Sequence, residues 1–266
     1  MKKITVLDIL KMKAEGRKIP VLTAYSAQMA RILDEAGIAM FIVGDSAGMV
    51  EAGYENTLPV TMEEMIYHTR AVARGRQNAL IVSDMPFASY QVSVEEAKRN
   101  ACRLVKEGHA EAVKLEGGKR MAETVKAIAE TDIPVMGHIG LTPQSIHRMG
   151  GYRVQGKSRT DAEVILEDAY AIAEAGAFSI VLEGIPGPLA KEITGSLSIP
   201  TIGIGAGADC DGQVLVVNDM LGLNCDGKCP KYVKKYADLK GIISKAVGEY
   251  IKDVEEGKFP SKDHTY

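Results

Sequence analysis

Five short, mostly apolar runs of this chain each end in one ionisable residue. Such runs are typical of strands that are buried on both faces of a parallel sheet. The residues at their ends are Asp45, Asp84, Glu116, His138 and Glu183. A carboxylate at such a position is costly to bury unless a cation or hydrogen-bond donors compensate it. The repetition therefore predicts a parallel barrel whose chemistry lies on one rim.

Three of these residues, Asp45, Asp84 and Glu116, follow three successive predicted strands. Neighbouring strands lie about 4.8 Å apart, so the three carboxylates can converge on one cation. Without a cation they would repel one another and raise each other's pKa values. Oxygen ligands favour Mg²⁺ over zinc, and we predict a Mg²⁺ site here. The alternative is that these acids cap helices or pair with Lys and Arg.

The other ionisable residues of the rim allow several roles. Lys114 lies two residues before Glu116, so both side chains point to the same face of a strand. Lys114 could hold a substrate carboxylate, act as a Schiff-base nucleophile or neutralise the acids. His138 could be a hydrogen-bond donor, a ligand or a satisfied core histidine. Glu183 suits a general base or a salt-bridge partner.

The elements that must position these residues follow the order of a barrel. A helix that opens at Thr5 is predicted before the first strand. Strands are predicted at 19–23, 40–44, 80–84, 112–116, 134–138, 179–183, 200–204 and 214–217. The length of 266 residues suits eight βα units. We predict an α/β fold, a (β/α)8 TIM barrel that forms a single domain over residues 1–266.

Several connections are less regular. Only about ten residues separate strands seven and eight, so either that unit lacks a full helix or the eighth strand is misplaced. The longest connection, 139–159, has no sustained period and is predicted to be a loop that acts as a lid, with Tyr152 and Val154 in it. The helix after it is predicted to be capped by Thr160. The glycine-rich stretch 203–207 could bind phosphate, but without a neighbouring basic residue it favours a tight turn.

Composition excludes several classes of function. The 32 basic and 35 acidic residues give a net charge of −3, so we expect neither a nucleic-acid nor a membrane partner. No apolar run approaches the roughly 18 residues of a membrane span, and a cytoplasmic location is expected. Four cysteines are too few for a disulfide framework. Cys225 and Cys229 lack the other half of a zinc site and are expected to be reduced thiols in a loop.

Several longer motifs of the chain carry a family resemblance. They are Val43–Ser46, Thr57–Thr61, Tyr67–Thr69, Asp84–Phe87, Val113–Gly118, Gly137–Ser145, Gly150–Gly156 and Gly203–Gly207. In this order they resemble the ketopantoate hydroxymethyltransferase family over essentially the whole chain. The resemblance implies transfer of a one-carbon unit from 5,10-methylenetetrahydrofolate to the 2-oxo acid 3-methyl-2-oxobutanoate, which gives 2-dehydropantoate for pantothenate biosynthesis. It also implies Mg²⁺, an enolate and a large homo-oligomer, typically a decamer.

The resemblance also implies roles for single residues. It places Asp45, Asp84 and Glu116 around Mg²⁺, directly or through water. It makes Glu183 the proton acceptor. The residues that it places at the oxo acid are Asp45, Ser46, Asp84, Lys114 and His138.

Three rival functions are considered beside this one. The nearest is a Mg²⁺-dependent barrel of the phosphoenolpyruvate mutase and isocitrate lyase type, which also handles enolates of 2-oxo acids. A second is a Schiff-base aldolase that uses Lys114. Its activity would survive metal chelation, and borohydride would trap its Schiff base. The third is a non-enzymatic scaffold, against which the intact acid cluster argues.

Overall fold

The computed structural model describes residues 2–224 and 229–266. The chain divides into two compact units, Met1–Val216 and Val217–Tyr266, and each is described by itself. The single domain over 1–266 stays a prediction. Cys225 lies outside the described residues. The predicted reduced thiol is wrong for Cys229, which is disulfide-bonded. No helix of the described ranges is long and apolar enough to cross a membrane.

The first unit contains a closed barrel of eight parallel strands. Their order around the barrel is the order along the chain, and β1 pairs with β8 to close it. The strands are β1 Ile19–Thr23, β2 Met40–Val43, β3 Leu80–Asp84, β4 Ala112–Glu116, β5 Val135–Gly140, β6 Ser179–Glu183, β7 Thr201–Ile204 and β8 Gly212–Leu215. The predicted (β/α)8 barrel is confirmed.

Helices follow most of the strands, and α1 precedes β1 as predicted. The helices of the first unit are α1 Val6–Ala14, α2 Ala27–Glu35, α3 Ala47–Val50, α4 Met62–Gly75, α5 Val94–Lys106, α6 Ala122–Ala129, α7 Ile146–Met149, α8 Arg159–Glu174 and α9 Gly187–Ser196. Short 3₁₀ turns occupy Lys119–Met121 and Pro143–Ser145. The second unit contains α10 Val217–Met220, α11 Leu239–Glu255 and a 3₁₀ turn at Lys262–His264.

On the inward face of the strands, apolar core residues are followed by polar residues. Val82, Ala112, Met136 and Val181 belong to one buried apolar cluster inside the barrel. Because side chains alternate along a strand, the residue two positions later faces inward as well. That residue is polar at the carboxyl ends of β3, β4, β5 and β6. At the opposite end of the strands, Ile9 of α1 joins the same cluster, so α1 packs against the lower end of the barrel.

Two predicted boundaries are wrong. The helix cap before α8 is Ser158, whose hydroxyl accepts from the Asp161 N–H at 3.1 Å, rather than Thr160. Strand β8 begins two residues early, at Gly212, and the described residues 205–211 contain no helix. Glycine is required at 212 because a Cβ there would lie 2.4 Å from the Ile19 carbonyl oxygen.

The long connection is more ordered than predicted. Strand β5 extends to Gly140, and a 3₁₀ turn and α7 follow it before the chain becomes irregular. The proline at 143 begins this 3₁₀ turn, a place where its missing N–H costs nothing. This turn lies at the rim that carries the polar strand ends.

Replacing Asp34 by Ala is expected to lower the free energy of unfolding by about 2–5 kcal/mol. The buried carboxylate of Asp34 accepts from the backbone N–H groups of Gln77, Asn78 and Ala79 at 2.7–3.1 Å. Burial acts to raise the pKa of Asp34, but these hydrogen bonds outweigh it and lower the pKa. The stabilisation is therefore present above about pH 4 and is lost as the pH falls through the folded-state value. Urea unfolding measures the change, and a loss below about 1 kcal/mol would contradict this role.

Candidate active site

The structure brings the predicted strand-end residues into one buried cluster. Lys114 Nζ on β4 lies 3.2 Å from Asp84 Oδ2 on β3 and 3.2 Å from His138 Nδ1 on β5. On the other side of the imidazole ring, His138 Nε2 lies 3.1 Å from Glu183 Oε2 on β6. Glu116 Oε1 lies 3.5 Å from His138 Nδ1. These residues are no more than 9% exposed, so their side chains interact with little screening by water.

The contacts of His138 indicate its tautomer. The Lys114 ammonium has only donors, so it donates to Nδ1, and Nε2 then carries the proton that points toward Glu183. Burial, followed by the charge of Lys114, lowers the pKa of His138 below its ordinary value. The imidazole is therefore neutral, and it can donate to Glu183 without competing for its proton. The contact at Nε2 lacks the alignment of a full hydrogen bond.

Asp45 and Ser46 enter the site where β2 ends and α3 begins. The Asp45 N–H donates to Asp84 Oδ2 at 3.1 Å, which ties the two acids together through the backbone. Ser46 Oγ lies 2.8 Å from the hydroxyl of Tyr25, which follows β1. The other oxygen of Asp84, Oδ1, is buried and has no hydrogen-bond partner among the described residues. A buried carboxylate oxygen without a partner is uncommon in folded proteins, and Oδ1 is therefore available to a cation.

Gln144 connects two of the acids and was not predicted. Its side-chain Nε2 donates to Asp45 Oδ2 at 2.8 Å and to the Met85 carbonyl at 3.0 Å. Its backbone N–H donates to Glu116 Oε2 at 3.0 Å. The Tyr90 hydroxyl donates to Gln144 Oε1 at 2.7 Å. Gln144 thus holds groups at the ends of β2 and β3 through its side-chain amide and the end of β4 through its backbone N–H.

A weak sequence signal for Gln144 existed. The residue follows Pro143 at the start of a helical turn, on the same rim as the acids, and it lies in the Gly137–Ser145 motif. Tyr90 carried no comparable signal. Its hydroxyl accepts from the Glu116 N–H at 3.0 Å and supports the end of β4 from a loop between β3 and α5.

The electrostatics of the cluster favour an additional cation. Burial is the main cause that raises the pKa values of Asp45 and Glu116, and it raises that of Asp84 to about 7. Burial acts to lower the pKa of Lys114, but the charges of Asp84, Glu116 and Asp45 outweigh it and raise the pKa. The cluster therefore contains one ammonium group and three carboxyl groups, and the ionisation of these carboxyl groups is disfavoured.

This donor set fits a hard divalent cation. The three acids are buried, come from neighbouring strands and include the unpartnered Oδ1 of Asp84. Oxygen donors with excess negative charge are the ligands that Mg²⁺ prefers. Among the residues that the structure describes, no three His, Cys, Asp or Glu side chains are already arranged as a metal cage. The acids are instead engaged with Gln144 and Lys114.

Nearly the whole chain is similar to the proteins of one known family. A family model described as ketopantoate hydroxymethyltransferase matches residues 3–262. The chain belongs to the ketopantoate hydroxymethyltransferase family. It is therefore a transferase enzyme of the (β/α)8 class, as the motif resemblance predicted. The match also favours this family over the phosphoenolpyruvate mutase and isocitrate lyase type and over a scaffold.

Full-length relatives of the family are highly similar to this chain. A 3-methyl-2-oxobutanoate hydroxymethyltransferase of Geobacter metallireducens is 60% identical over 265 residues, covering 100% of this chain and 99% of the relative. The protein of the same name from Syntrophotalea carbinolica is 62% identical, with coverage of 100% and 99%. That from Geobacter sulfurreducens is 62% identical over 262 residues, with coverage of 98% for each.

Solved structures with low sequence identity share the fold. A phosphonopyruvate hydrolase in complex with oxalate and Mg²⁺ superposes with a TM-score of 0.62 and 11% identity, covering 99% of this chain and 93% of the other. A phosphoenolpyruvate phosphomutase from Streptomyces platensis gives 0.60 and 13%, with coverage of 97% and 91%. At these identities the likeness concerns the barrel alone.

Proposed function

We propose that this enzyme transfers a hydroxymethyl group from 5,10-methylenetetrahydrofolate to 3-methyl-2-oxobutanoate, forming 2-dehydropantoate in pantothenate biosynthesis. The observation that carries the proposal is the buried cluster of Asp45, Asp84, Lys114, Glu116, His138 and Glu183. The names of relatives about 60% identical over the whole chain support the same reaction. In the overall balance, the donor, the oxo acid and one water give 2-dehydropantoate and tetrahydrofolate.

The oxo acid is proposed to bind among the strand ends of β2 to β5. Its carboxylate is anionic and needs a cation, and Lys114 is the ammonium in the cluster. The hydroxyl of Ser46 and the imidazole of His138 supply neutral hydrogen-bonding groups beside it. Asp45 and Asp84 complete the contacts to the oxo acid.

A Mg²⁺ ion would be held by Asp45, Asp84 and Glu116. When bound, it supplies Lewis acidity that polarises the 2-oxo group and makes the adjacent C–H bond more acidic. Lys114 opposes the negative charge of the acids at the same time, which lowers the cost of bringing an anionic substrate to them.

Glu183 is proposed to be the general base. It lies at the end of β6 and is 9% exposed, and Nε2 of the neutral His138 lies 3.1 Å from its carboxylate. The C3 proton passes to Glu183, and the electron pair of that C–H bond moves into the 2-oxo group. The resulting enolate carbon forms the new C–C bond to the one-carbon unit of the donor. Both bonds between that unit and the two folate nitrogens break, and water provides the hydroxyl oxygen. The proton from C3 and one proton from this water end on the two nitrogens of tetrahydrofolate.

The assembly is proposed to be a homodecamer in the cytoplasm, acting on small molecules without a nucleic-acid or membrane partner. The net charge of −3 offers no basic excess for nucleic acid. Helix α11 exposes apolar side chains that include Ile242, Val247 and Tyr250, which supports contact with other subunits.

Hydrogen exchange at C3 of 3-methyl-2-oxobutanoate tests the proposal without any folate. In D₂O, NMR is expected to show deuterium incorporation with Mg²⁺ and little incorporation with EDTA. Exchange that persists in EDTA, together with borohydride trapping of the substrate, would indicate a Schiff base on Lys114 instead. No exchange under any condition would overturn the proposed substrate.

Mg²⁺ is expected to stabilise the protein more at about pH 8 than at about pH 5. The pKa of Asp84 is raised to about 7 in the metal-free protein. Between its ordinary pKa near 4 and about pH 7, the folded protein therefore binds more protons than the unfolded chain. The stability of the metal-free protein therefore falls as the pH rises through this range. Mg²⁺ binds the ionised carboxylates, and at a hundredfold excess over Kd it adds about 2.7 kcal/mol. Thermal unfolding with and without Mg²⁺ measures the effect, and equal shifts at both pH values would contradict it.

A further inference from the structure

The segment from Gly150 to Gln155 crosses the mouth of the barrel. The Gln155 N–H donates to the carbonyl of Gly184, directly after Glu183 on β6, at 2.9 Å. At the other end, the Tyr152 hydroxyl donates to the sulfur of Met49 in α3, just after β2, at 3.9 Å. In a closed barrel of eight strands, β2 and β6 are four places apart and lie on opposite sides. Tyr152 is thus held above the rim that carries the acids.

Tyr152 is close to the acid cluster but does not belong to it. Its side chain is half exposed. Burial, and then the negative charges of Glu183, Asp45 and Glu116, raise the pKa of its hydroxyl, so the phenol stays neutral. Among the described residues, no other ring and no cation stacks on Tyr152. A neutral aromatic ring at the entrance is therefore available to a flat ligand.

A cavity of about 480 Å³ lies beside the mouth, outside β4 and β5. Its wall includes Gly117, which directly follows Glu116, and Ile139, which directly follows His138. Three cationic side chains line it, those of Lys119, Arg120 and Arg148, together with the carboxylate of Asp168, which accepts from the Lys119 N–H at 2.7 Å. The cavity therefore has more positive than negative side chains, and its wall adjoins the negatively charged cluster.

The three cationic side chains of this cavity differ in their ion pairs and hydrogen bonds. The ammonium of Lys119 lies 3.3 Å from a Glu167 oxygen. Arg120 donates to the Ser145 hydroxyl at a long 3.4 Å. Arg148 forms no ion pair with any residue that the structure describes, and it lies four residues before Tyr152 in the same connection. Arg148 and Arg120 can therefore take an anionic ligand.

We propose that the one-carbon donor binds across these two features, with its pterin ring on Tyr152 and the carboxylates of its glutamate tail at Arg148 and Arg120. This inference rests on the proposed function, which requires a reduced folate. A folate joins a flat heteroaromatic ring to a dianionic tail. The ring must approach the oxo acid, whereas the tail must avoid Asp45, Asp84 and Glu116, which would repel it. Arginine suits carboxylates because its planar fork donates two parallel hydrogen bonds.

The test separates donor binding from proton abstraction. Tyr152→Ala and Arg148→Ala are each expected to raise KM for 5,10-methylenetetrahydrofolate about tenfold. The rate of C3 deuterium exchange, measured without folate, is expected to change less than twofold. Tyr152→Phe retains the ring and is expected to recover most of the donor affinity. Arg159→Ala is the matched control, because Arg159 is an exposed arginine outside the cavity.

A donor without the tail sharpens the assignment of Arg148. With 5,10-methylenetetrahydropteroate, which lacks the glutamate, Arg148→Ala is expected to match the wild type, whereas Tyr152→Ala keeps its defect. If Arg148→Ala raised KM for this donor as much as for the complete folate, Arg148 would not bind the glutamate tail. Loss of C3 exchange in Tyr152→Ala would overturn the stacking role and make Tyr152 a cover for the oxo acid. If the wild-type enzyme itself catalysed no C3 deuterium exchange, the proposed function would be wrong.

Discussion

Replacing Glu183 by Gln is expected to lower C3 deuterium exchange and hydroxymethyl transfer together by about 10²–10⁴-fold. The amide has nearly the shape of the carboxylate but cannot accept the C3 proton. The neighbouring His138 cannot substitute, because burial and Lys114 lower its pKa and its Nε2 is the protonated nitrogen facing Glu183. NMR exchange in D₂O and a coupled transfer assay measure the two rates on the same preparation.

The parallel loss in both assays is the informative part of this result. Glu163→Gln provides a matched control, since Glu163 lies on the exposed surface of α8 and pairs with Arg159 at 3.1 Å, away from the acid cluster. If Glu183→Gln abolished transfer but kept the exchange rate, another group would be the base. If only KM for the oxo acid rose, Glu183 would be a binding residue.

Replacing Gln144 by Leu is expected to lower the free energy of unfolding by about 2–5 kcal/mol and the exchange rate at least about tenfold. Leucine has a similar size but removes the amide that donates to Asp45 and to the Met85 carbonyl and accepts from Tyr90. These groups are buried, so each would lose a partner that water cannot replace. Urea unfolding gives the first quantity and deuterium exchange at C3 gives the second.

Gln77→Leu is a suitable control for Gln144, because the Gln77 side chain is exposed and the residue contacts Asp34 through its backbone N–H. Its effect on stability is expected to stay within about 0.5 kcal/mol. Titration of Mg²⁺ by calorimetry adds a readout apart from activity, with weaker binding expected in Gln144→Leu. A variant with wild-type stability and Mg²⁺ affinity would mean that Asp45 is positioned without the Gln144 side chain.

The sequence indicated the parts of the site that lie on strands. An apolar run identifies a buried strand, and the alternation of side chains then determines which later residue faces inward. Asp84, Lys114, Glu116, His138 and Glu183 follow this rule, and the structure brings them together. The motifs also indicated the family, which the whole-chain match confirms.

Positions that depend on the path of a loop were not predictable in the same way. Gln144 reaches Asp45 because a 3₁₀ turn after β5 folds back across the rim, and the pair is 99 residues apart in sequence. Strand β8 and the cap at Ser158 were misplaced for a related reason. Short segments carry two acceptable local patterns. The close approach of Gly212 to Ile19 selects one of them at β8, and the Ser158 hydroxyl caps α8 in place of Thr160.

The amino-acid sequence by itself determined the barrel, the rim and most of the charged groups on it, because strand periodicity is a local property of the chain. Only the tertiary structure decided the links between these groups: Gln144 between two acids through its side chain and its backbone, the neutral His138 between Lys114 and Glu183, and Tyr152 across the mouth. These links join residues far apart in sequence. Their geometry depends on closure of the barrel and on the way each loop satisfies its hydrogen bonds at the rim.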